Sequence, residues 1–484
     1  MIEIRDLSFN YHGFEKTSAV CDLTLFIPKG QVIVLCGESG CGKTTITRLL
    51  NGLIPNFYKG LVTGEIKVDG RAINKMPLYE IAENTGSVFQ NPRTQFFNVD
   101  TDSELSFACE NLGYPGHEII ARVHKTVKAF QIERLLGKSL FHLSGGEKQI
   151  IACASVSTIA PDYIILDEPS SNLDVMHISI LRDIIQKWKL QGKTVIIAEH
   201  RLYYLLEIAD RFICLKHGKV AFDLSPNELF KQDNDFLYSL GLRSPNIHGL
   251  CMKHEAKINK QMLYFEDFTF SYPRQKACLK LDSFCAPKNE IVAIIGNNGA
   301  GKSTFARCLC GLEKAGRMRD GDKILSFRDR LKQFYMVMQD INHQLFSETV
   351  IDELLISMKH ANKEQALEIL KQVGLSEYSE RHPMSLSGGE KQRLAIATAL
   401  VSDRTYILMD EPTSGLDYKH MKEVADCLKG LLELGKSIFV ITHDVELIYQ
   451  CCTYVMQIED GEHIQQYALN KETQHRLRDY FMLQ

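Results

Sequence analysis

No apolar run in this chain of 484 residues approaches the roughly 20 residues that a membrane-spanning helix needs. The longest, at 194–198 and 438–441, are strand-sized. The opening Met1-Ile2-Glu3-Ile4-Arg5-Asp6 alternates apolar and polar residues like an edge strand and lacks the apolar core of a signal peptide. The 14 cysteines form no paired C-x-x-C framework, which suits reduced thiols in a cytosolic protein. The close pairs Cys308/Cys310 and Cys451/Cys452 have no histidine or second pair at ligand spacing, which argues against a metal site. An excess of charge of one sign is also lacking. With 56 basic and 60 acidic residues the formal net charge is −4, so a broad field for nucleic acid is not indicated and no nucleic-acid partner is expected. Hydrophobic content of 45% and charged content of 24% are those of a soluble globular protein, and the length suits two or three domains.

What is present is a repeat. Leu143-Ser144-Gly145-Gly146-Glu147-Lys148-Gln149 returns unchanged as Leu386-Ser387-Gly388-Gly389-Glu390-Lys391-Gln392. Other pairs follow in the same order: Gly37-Glu38-Ser39-Gly40-Cys41-Gly42-Lys43-Thr44 with Gly296-Asn297-Asn298-Gly299-Ala300-Gly301-Lys302-Ser303, Phe89-Gln90 with Met338-Gln339, Asp167-Glu168-Pro169-Ser170 with Asp410-Glu411-Pro412-Thr413, and Glu199-His200 with Thr442-His443. The spacing between copies is constant from the heptapeptide onward and longer at the lysine, so the second copy is shorter in between. The chain therefore reads as a tandem duplication: a first domain over 1–225, a linker with a short helix over 226–261, and a second domain over 262–484. Apolar strand-like runs at 31–36, 163–166 and 194–198 alternate with helical stretches at 43–50 and 176–190, which implies a layered α/β core with strands buried on both faces. The stretch 92–140 breaks this rhythm and is predicted to be a mainly helical subdomain.

Both glycine-rich stretches fit G-x-x-x-x-G-K-[ST], follow a buried-strand pattern and open a helix, the context of a P-loop. Gly37, Gly40 and Gly42, and Gly296, Gly299 and Gly301, let backbone amides wrap phosphates. Lys43 and Lys302 neutralise the terminal phosphates, the hydroxyls of Thr44 and Ser303 ligate Mg²⁺, and Thr45 and Thr304 complete the phosphate-binding turn. Asp167 and Asp410 end apolar strands, where a doubly wound sheet faces its ligand, and would orient Mg²⁺. Glu168 and Glu411 come next and could act as general bases on the attacking water. Gln90 and Gln339 are neutral amides able to contact Mg²⁺ or water. His200 and His443 end strands at the same edge and could bond the terminal phosphate. Tyr11 and Tyr272 could stack on adenine or could be plain core aromatics. The Ser-Gly-Gly heptapeptide reads as a loop entering a helix, another phosphate-binding end.

Together these residues resemble ATP-binding-cassette ATPases: P-loop, Q-loop glutamine, LSGGEKQ, the strand ending in Asp-Glu, the Leu173-Asp174 and Leu416-Asp417 that follow, and the switch histidine. The resemblance covers nearly the whole chain. It implies ATP and Mg²⁺ as cofactors and two RecA-like cores, each with a helical subdomain. It also implies that the two cassettes pair within the chain. One ATP site would join Lys43, Asp167, Glu168 and His200 with Ser387 and Gly389. The other would join Lys302, Asp410, Glu411 and His443 with Ser144 and Gly146. A narrower resemblance, to ATPases of energy-coupling factor (ECF) transporters, rests on Gln90-Asn91-Pro92-Arg93-Thr94-Gln95-Phe96-Phe97, on Gln339-Asp340 with Gln344-Leu345-Phe346, and on Glu199-His200-Arg201-Leu202. It implies a peripheral motor at the cytoplasmic face of the membrane, one copy per complex, working with a transmembrane coupling subunit and a substrate-binding membrane subunit to import a vitamin or metal ion. Asp100, Asp102, Glu104, Glu348, Asp352 and Glu353 are the acidic candidates for meeting arginine-bearing coupling helices; solvated helix starts are the equal alternative. Two other readings are the motor of a different ABC importer and an ABC-F-type ribosome-associated factor. The second would need a long charged helical linker, which 226–261 does not provide.

Overall fold

Every side chain of the strands Val32–Gly37 and Thr194–Ala198 is buried, because a continuous apolar run can be accommodated only where both faces of a sheet are covered. The computed structural model describes residues 1–13, 18–250, 252, 261–273 and 278–482. The chain divides into two compact units, Met1–Asn246 and Ile247–Gln484.

In the first unit a six-stranded sheet runs Lys219–Leu224, Arg211–Lys216, Val32–Gly37, Thr194–Ala198, Tyr163–Asp167, Thr85–Val88. It is parallel except for the hairpin at the Lys219–Leu224 edge. The register Tyr163↔Thr194 and Val32↔Val195 brings the ends of three strands, at Gly37, Asp167 and Ala198, to one edge. A second, antiparallel sheet orders Val20–Ile27, Ile2–Tyr11, Gly60–Val68, Arg71–Ala72. Its strands bury alternate residues, so one face packs on the core and the other meets water. Ile2–Tyr11 pairs on both sides and is thus interior, not the edge strand expected. Alternation reports one-sided burial and is silent about neighbours.

The helices Thr101–Asn111, Gly116–Phe130 and Gly145–Thr158 fill the region expected to be helical and the signature segment. Leu105, Val127, Phe130 and Ile150 share one continuous core with Val34, Leu166 and Ile197 of the sheet. Of the stretch 226–261, the helices Pro226–Phe230 and Asn234–Ser239 pack onto the first unit, with Leu229 and Leu237 fully buried in that core. Residues 251 and 253–260 lie outside the described residues.

The second unit repeats the plan. Its six-stranded sheet runs Phe334–Val337, Tyr406–Asp410, Ser437–Ile441, Ile291–Ile295, Tyr454–Glu459, Glu462–Ala468, and its four-stranded sheet Leu279–Pro287, Met262–Phe270, Arg317–Asp320, Lys323–Leu325. Part of the missing length sits in the antiparallel sheet, where Gly60–Val68 has 9 residues and Arg317–Asp320 has 4, and part in the helical region, where Gly116–Phe130 has 15 and Lys363–Gln372 has 10. The Leu53–Asn56 helical turn before Gly60–Val68 has no counterpart helix before Arg317–Asp320.

Candidate functional site

Each P-loop connects the central strand to a helix, Lys43–Leu50 or Lys302–Leu309, whose first turn is entered through a left-handed glycine, Gly42 (φ 109°) or Gly301 (φ 93°). Neighbouring backbone demands glycine at two points. A Cβ on Gly42 would stand 2.4 Å from the Ala19 carbonyl oxygen, and one on Gly37 2.3 Å from that of Leu215. Gly40 and Gly299 face open space, leaving the outer amides of the loop accessible. Lys43 Nζ donates to the carbonyls of Gly37 (2.9 Å) and Glu38 (3.0 Å), and Lys302 Nζ to those of Gly296 (2.7 Å) and Asn297 (3.0 Å). In both units the ammonium is thereby held at the centre of the loop.

The lysine's neighbour binds the far strand. Thr44 Oγ1 donates to Asp167 at 3.1 Å, and Ser303 Oγ to Asp410 at 3.1 Å. Burial, and then the adjacent Glu168 charge, push the Asp167 carboxyl up to about 6 against the pull of Thr44, Arg48 and Lys43. Burial raises Asp410 as well. A desolvated carboxylate beside a hydroxyl is a donor set that a hard divalent cation would satisfy. Mg²⁺ is therefore chemically suited to both pairs.

Glu168 (φ 45°) and Glu411 (φ 49°) adopt the left-handed backbone region that ordinary residues avoid, and they do so in both units. The turn is fixed from behind: Glu168 N–H donates to Ala198 (2.8 Å) and Glu411 N–H to Ile441 (2.9 Å). Gln90 Nε2 donates to Glu168 Oε2 at 2.6 Å, and His200 Nε2 stands 3.3 Å from Oε1. His443 Nε2 lies 3.4 Å from Glu411 Oε1, and its backbone N–H donates to Oε2 at 3.2 Å. Gln339 is exposed like Gln90. Tyr11 donates or accepts at Thr45 Oγ1 (3.2 Å) and is met by Arg48 (3.3 Å), while Tyr272 approaches Thr304 Oγ1 at 3.5 Å. Over the first P-loop opens a cavity of about 370 Å³, bounded by Tyr11, Ala19, Gly40, Lys43, Thr44 and Glu168. Arg48, with its guanidinium 4.0 Å over the Tyr58 ring, lines a neighbouring cavity with Asn51, Gln90 and Asp167. No sequence signal marked Arg48, an arginine on a helix like many others.

The heptapeptide enters a helix as expected. Ser144 caps Gly145–Thr158 by accepting from Glu147 N–H, and Glu147 accepts from Ser144 N–H; Ser387 and Glu390 repeat this capping box. Its two glycines differ. Gly145 and Gly388 have open surroundings, whereas a Cβ on Gly146 would stand 2.3 Å from the His177 ring and one on Gly389 2.9 Å from that of His420. Each histidine is bound in turn by the aspartate that caps its own helix: His177 Nδ1 to Asp174 at 2.6 Å, His420 Nδ1 to Asp417 at 2.8 Å. Sequence reasoning passed over both histidines; their recurrence three residues after each Leu-Asp was the available signal. Among the described residues lining the cavity over Lys43, none comes from the heptapeptide of the same unit.

Comparison with known proteins gives the family. The family model described as ABC transporter matches residues 20–171 and 279–414. The chain belongs to the ABC transporter family. A Treponema denticola protein named as an ABC transporter ATP-binding protein is 43% identical over 482 residues, covering 98% of each chain. A Methanosarcina mazei protein with the same kind of name is 30% identical, covering 96% of this chain and 88% of its own. The archaeal ribosome recycling factor aABCE1, solved with the stalk protein aP1, superposes with a TM-score of 0.68 at 22% identity, covering 98% of this chain and 92% of its own. That likeness speaks to the fold alone. The chain is a two-cassette ABC ATPase, and ATP is the nucleotide its family binds and hydrolyses.

Proposed function

We propose that this ABC ATPase is the motor subunit of an ECF-type importer, docking on the cytoplasmic face of a membrane and driving uptake of a vitamin or metal ion through separate membrane subunits. In this reading Lys43, Thr44 and Asp167 hold one Mg²⁺–ATP, and Lys302, Ser303 and Asp410 hold the other. Glu168 and Glu411 polarise the attacking water, with His200, His443, Gln90 and Gln339 around it.

The observation that carries the membrane-docking part is a matched pair of exposed aromatics just past each Gln. Phe97 is 77% exposed and Phe346 75%. Each loop is held by a buried carboxylate. Glu104 accepts from the N–H groups of Phe97 (3.1 Å) and Asn98 (3.0 Å), and Glu353 from those of Phe346 (3.1 Å) and Ser347 (2.9 Å). These two acids are therefore spent on the loop and are not available to arginines of a coupling helix. Asp100 likewise caps Thr101–Asn111, and Asp352 bonds Thr349. What each unit then offers for docking is an exposed aromatic, Phe97 in the first and Phe346 in the second, with Glu348 exposed two residues after Phe346. The test has two arms. Glu168→Gln with Glu411→Gln removes turnover and leaves ATP binding. Phe97→Ala with Phe346→Ala releases the chain from detergent-solubilised membrane complexes while turnover stays. Sedimentation of the wild-type chain with ribosomes instead of membranes overturns the importer reading.

A further inference from the structure

The two switch histidines sit in different frames, Glu199-His200-Arg201 and Thr442-His443-Asp444. In the first unit the Glu199 carboxylate is 2% exposed and accepts four donors: His200 N–H (2.7 Å), Arg201 N–H (3.1 Å), Ser170 N–H (3.3 Å) and Tyr204 O–H (2.8 Å). Burial, and then the Glu199 charge, hold the Tyr204 hydroxyl well above its ordinary range, so it remains a donor. The Arg201 guanidinium reaches the same loop from its other polarity, donating to the carbonyls of Ser170 (3.5 Å) and Leu173 (3.3 Å). That loop begins at Glu168 and ends at Asp174, the cap of the helix Val175–Leu190.

In the second unit Thr442 occupies the Glu199 position and Asp444 the Arg201 position. The carboxylate has moved across the histidine, yet it binds the same loop: Thr413 Oγ1, at the position of Ser170, donates to Asp444 Oδ2 at 2.7 Å. The other oxygen caps Glu446 and Leu447 N–H (3.1 and 3.2 Å), and Thr442 Oγ1 accepts from Asp444 N–H (3.0 Å). The exchange keeps a carboxylate on Ser170 in the first unit and on Thr413 in the second. A carboxylate on either side of the histidine can therefore reach the loop behind the catalytic glutamate.

We infer that Glu199 and Arg201 in the first unit, and Asp444 in the second, are positioning residues that tie the switch-histidine turn to the loop following Glu168 or Glu411. The tie fixes the His–Glu separation at each ATP. It is built differently in the two units: Glu199 and Arg201 hold the loop in the first, and Asp444 holds it in the second. The inference deepens the proposed ATPase mechanism and rests on Glu168 and His200 acting on the same nucleotide.

The test uses the full chain and steady-state ATPase kinetics, with hydrogen exchange read over 168–174. Glu199→Thr removes the carboxylate. Turnover falls by about 10- to 100-fold with KM for ATP unchanged, as expected when a reacting group is displaced by an ångström. Exchange over 168–174 becomes several-fold faster. Adding Arg201→Asp to Glu199→Thr installs the frame of the second unit and restores most of both. A merely structural role does not restore kcat at constant KM. In the second unit Asp444→Asn lowers kcat, and the double change Thr442→Glu with Asp444→Arg recovers it, which keeps the test alive if a first-unit variant fails to fold. Wild-type kcat and exchange in Glu199→Thr, or a double variant no better than the single, overturn the tie. Full turnover in the paired Glu168→Gln and Glu411→Gln variant overturns instead the mechanism beneath it.

Discussion

Replacing single signature glycines by alanine separates packing from nucleotide contact. A Cβ on Gly146 falls 2.3 Å from two carbons of the His177 ring and 2.7 Å from Nδ1. The ring has no easy retreat. His177 is 3% exposed and Asp174 0%, and Asp174 Oδ1 accepts both from the ring at 2.6 Å and from the His177 N–H at 2.8 Å. Overpacking of this kind costs about 1–3 kcal/mol. Moving the ring also strips a buried carboxylate of a donor, about 1–3 kcal/mol more. Alanine returns about 0.5–1 kcal/mol in helix propensity. Gly146→Ala should then destabilise the first unit by about 1–5 kcal/mol, centred near about 3 kcal/mol. At Gly389 the approach is 2.9 Å and the His420 side chain is 22% exposed, so the ring yields and the loss is about 1 kcal/mol. At Gly145 nothing lies nearer than 3.8 Å, and Gly145→Ala should be neutral or stabilising by about 0.5 kcal/mol. The assay is built in. The chain has 1 tryptophan, and Trp188 is buried in the first unit, where its Nε1 donates to Ser157 Oγ on the same signature helix at 3.0 Å. Its emission in urea, without nucleotide, reports unfolding of that unit. Equal midpoints for Gly145→Ala and Gly146→Ala would refute the clasp between Gly146, His177 and Asp174.

Glu104→Ala leaves the N–H groups of Phe97 and Asn98 without their acceptor. Local exchange at these amides should rise by an amount corresponding to about 2–3 kcal/mol, and membrane recovery should drop as far as in Phe97→Ala; unchanged recovery would count against the aromatic docking surface. Burial pushes Asp320 up, but hydrogen bonds from Lys288 Nζ (2.8 Å) and Tyr406 O–H (2.6 Å) outweigh it and hold the carboxyl below its ordinary range. A carboxyl depressed on folding contributes stability above its unfolded pKa and loses it as pH falls through the folded value. Asp320→Asn should therefore cost about 1–2 kcal/mol at pH 7, read as exchange in Tyr406–Asp410, and the difference from wild type should shrink below about pH 4.

Much of the fold was legible because it is written locally. The helix Lys43–Leu50 and the strand Thr194–Ala198 stand where the sequence placed them, since a P-loop glycine run, a helix start and a fully apolar run each constrain only neighbouring residues. The duplication likewise needed only letters. Other features escaped because their partners are distant in the chain. Glu104 and Glu353 look like solvent-facing acids at a helix start, and only the folded loop shows them buried beneath Phe97 and Phe346. The exchange of Glu199 for Asp444 is invisible until Ser170 and Thr413 are seen beside them.

The sequence alone determined that this protein has two ABC cassettes and where their strands, glycine-rich loops and helix starts lie. Periodicity and backbone freedom are properties of consecutive residues. The tertiary structure decided which carboxylates line an open cavity, as Asp167 and Glu168 do, and which hold the chain, as Glu104 and Glu353 do. Thr44, at the start of the helix that follows Val32–Gly37, meets Asp167, 123 residues away, only when the parallel register sets both strands beside Thr194–Ala198.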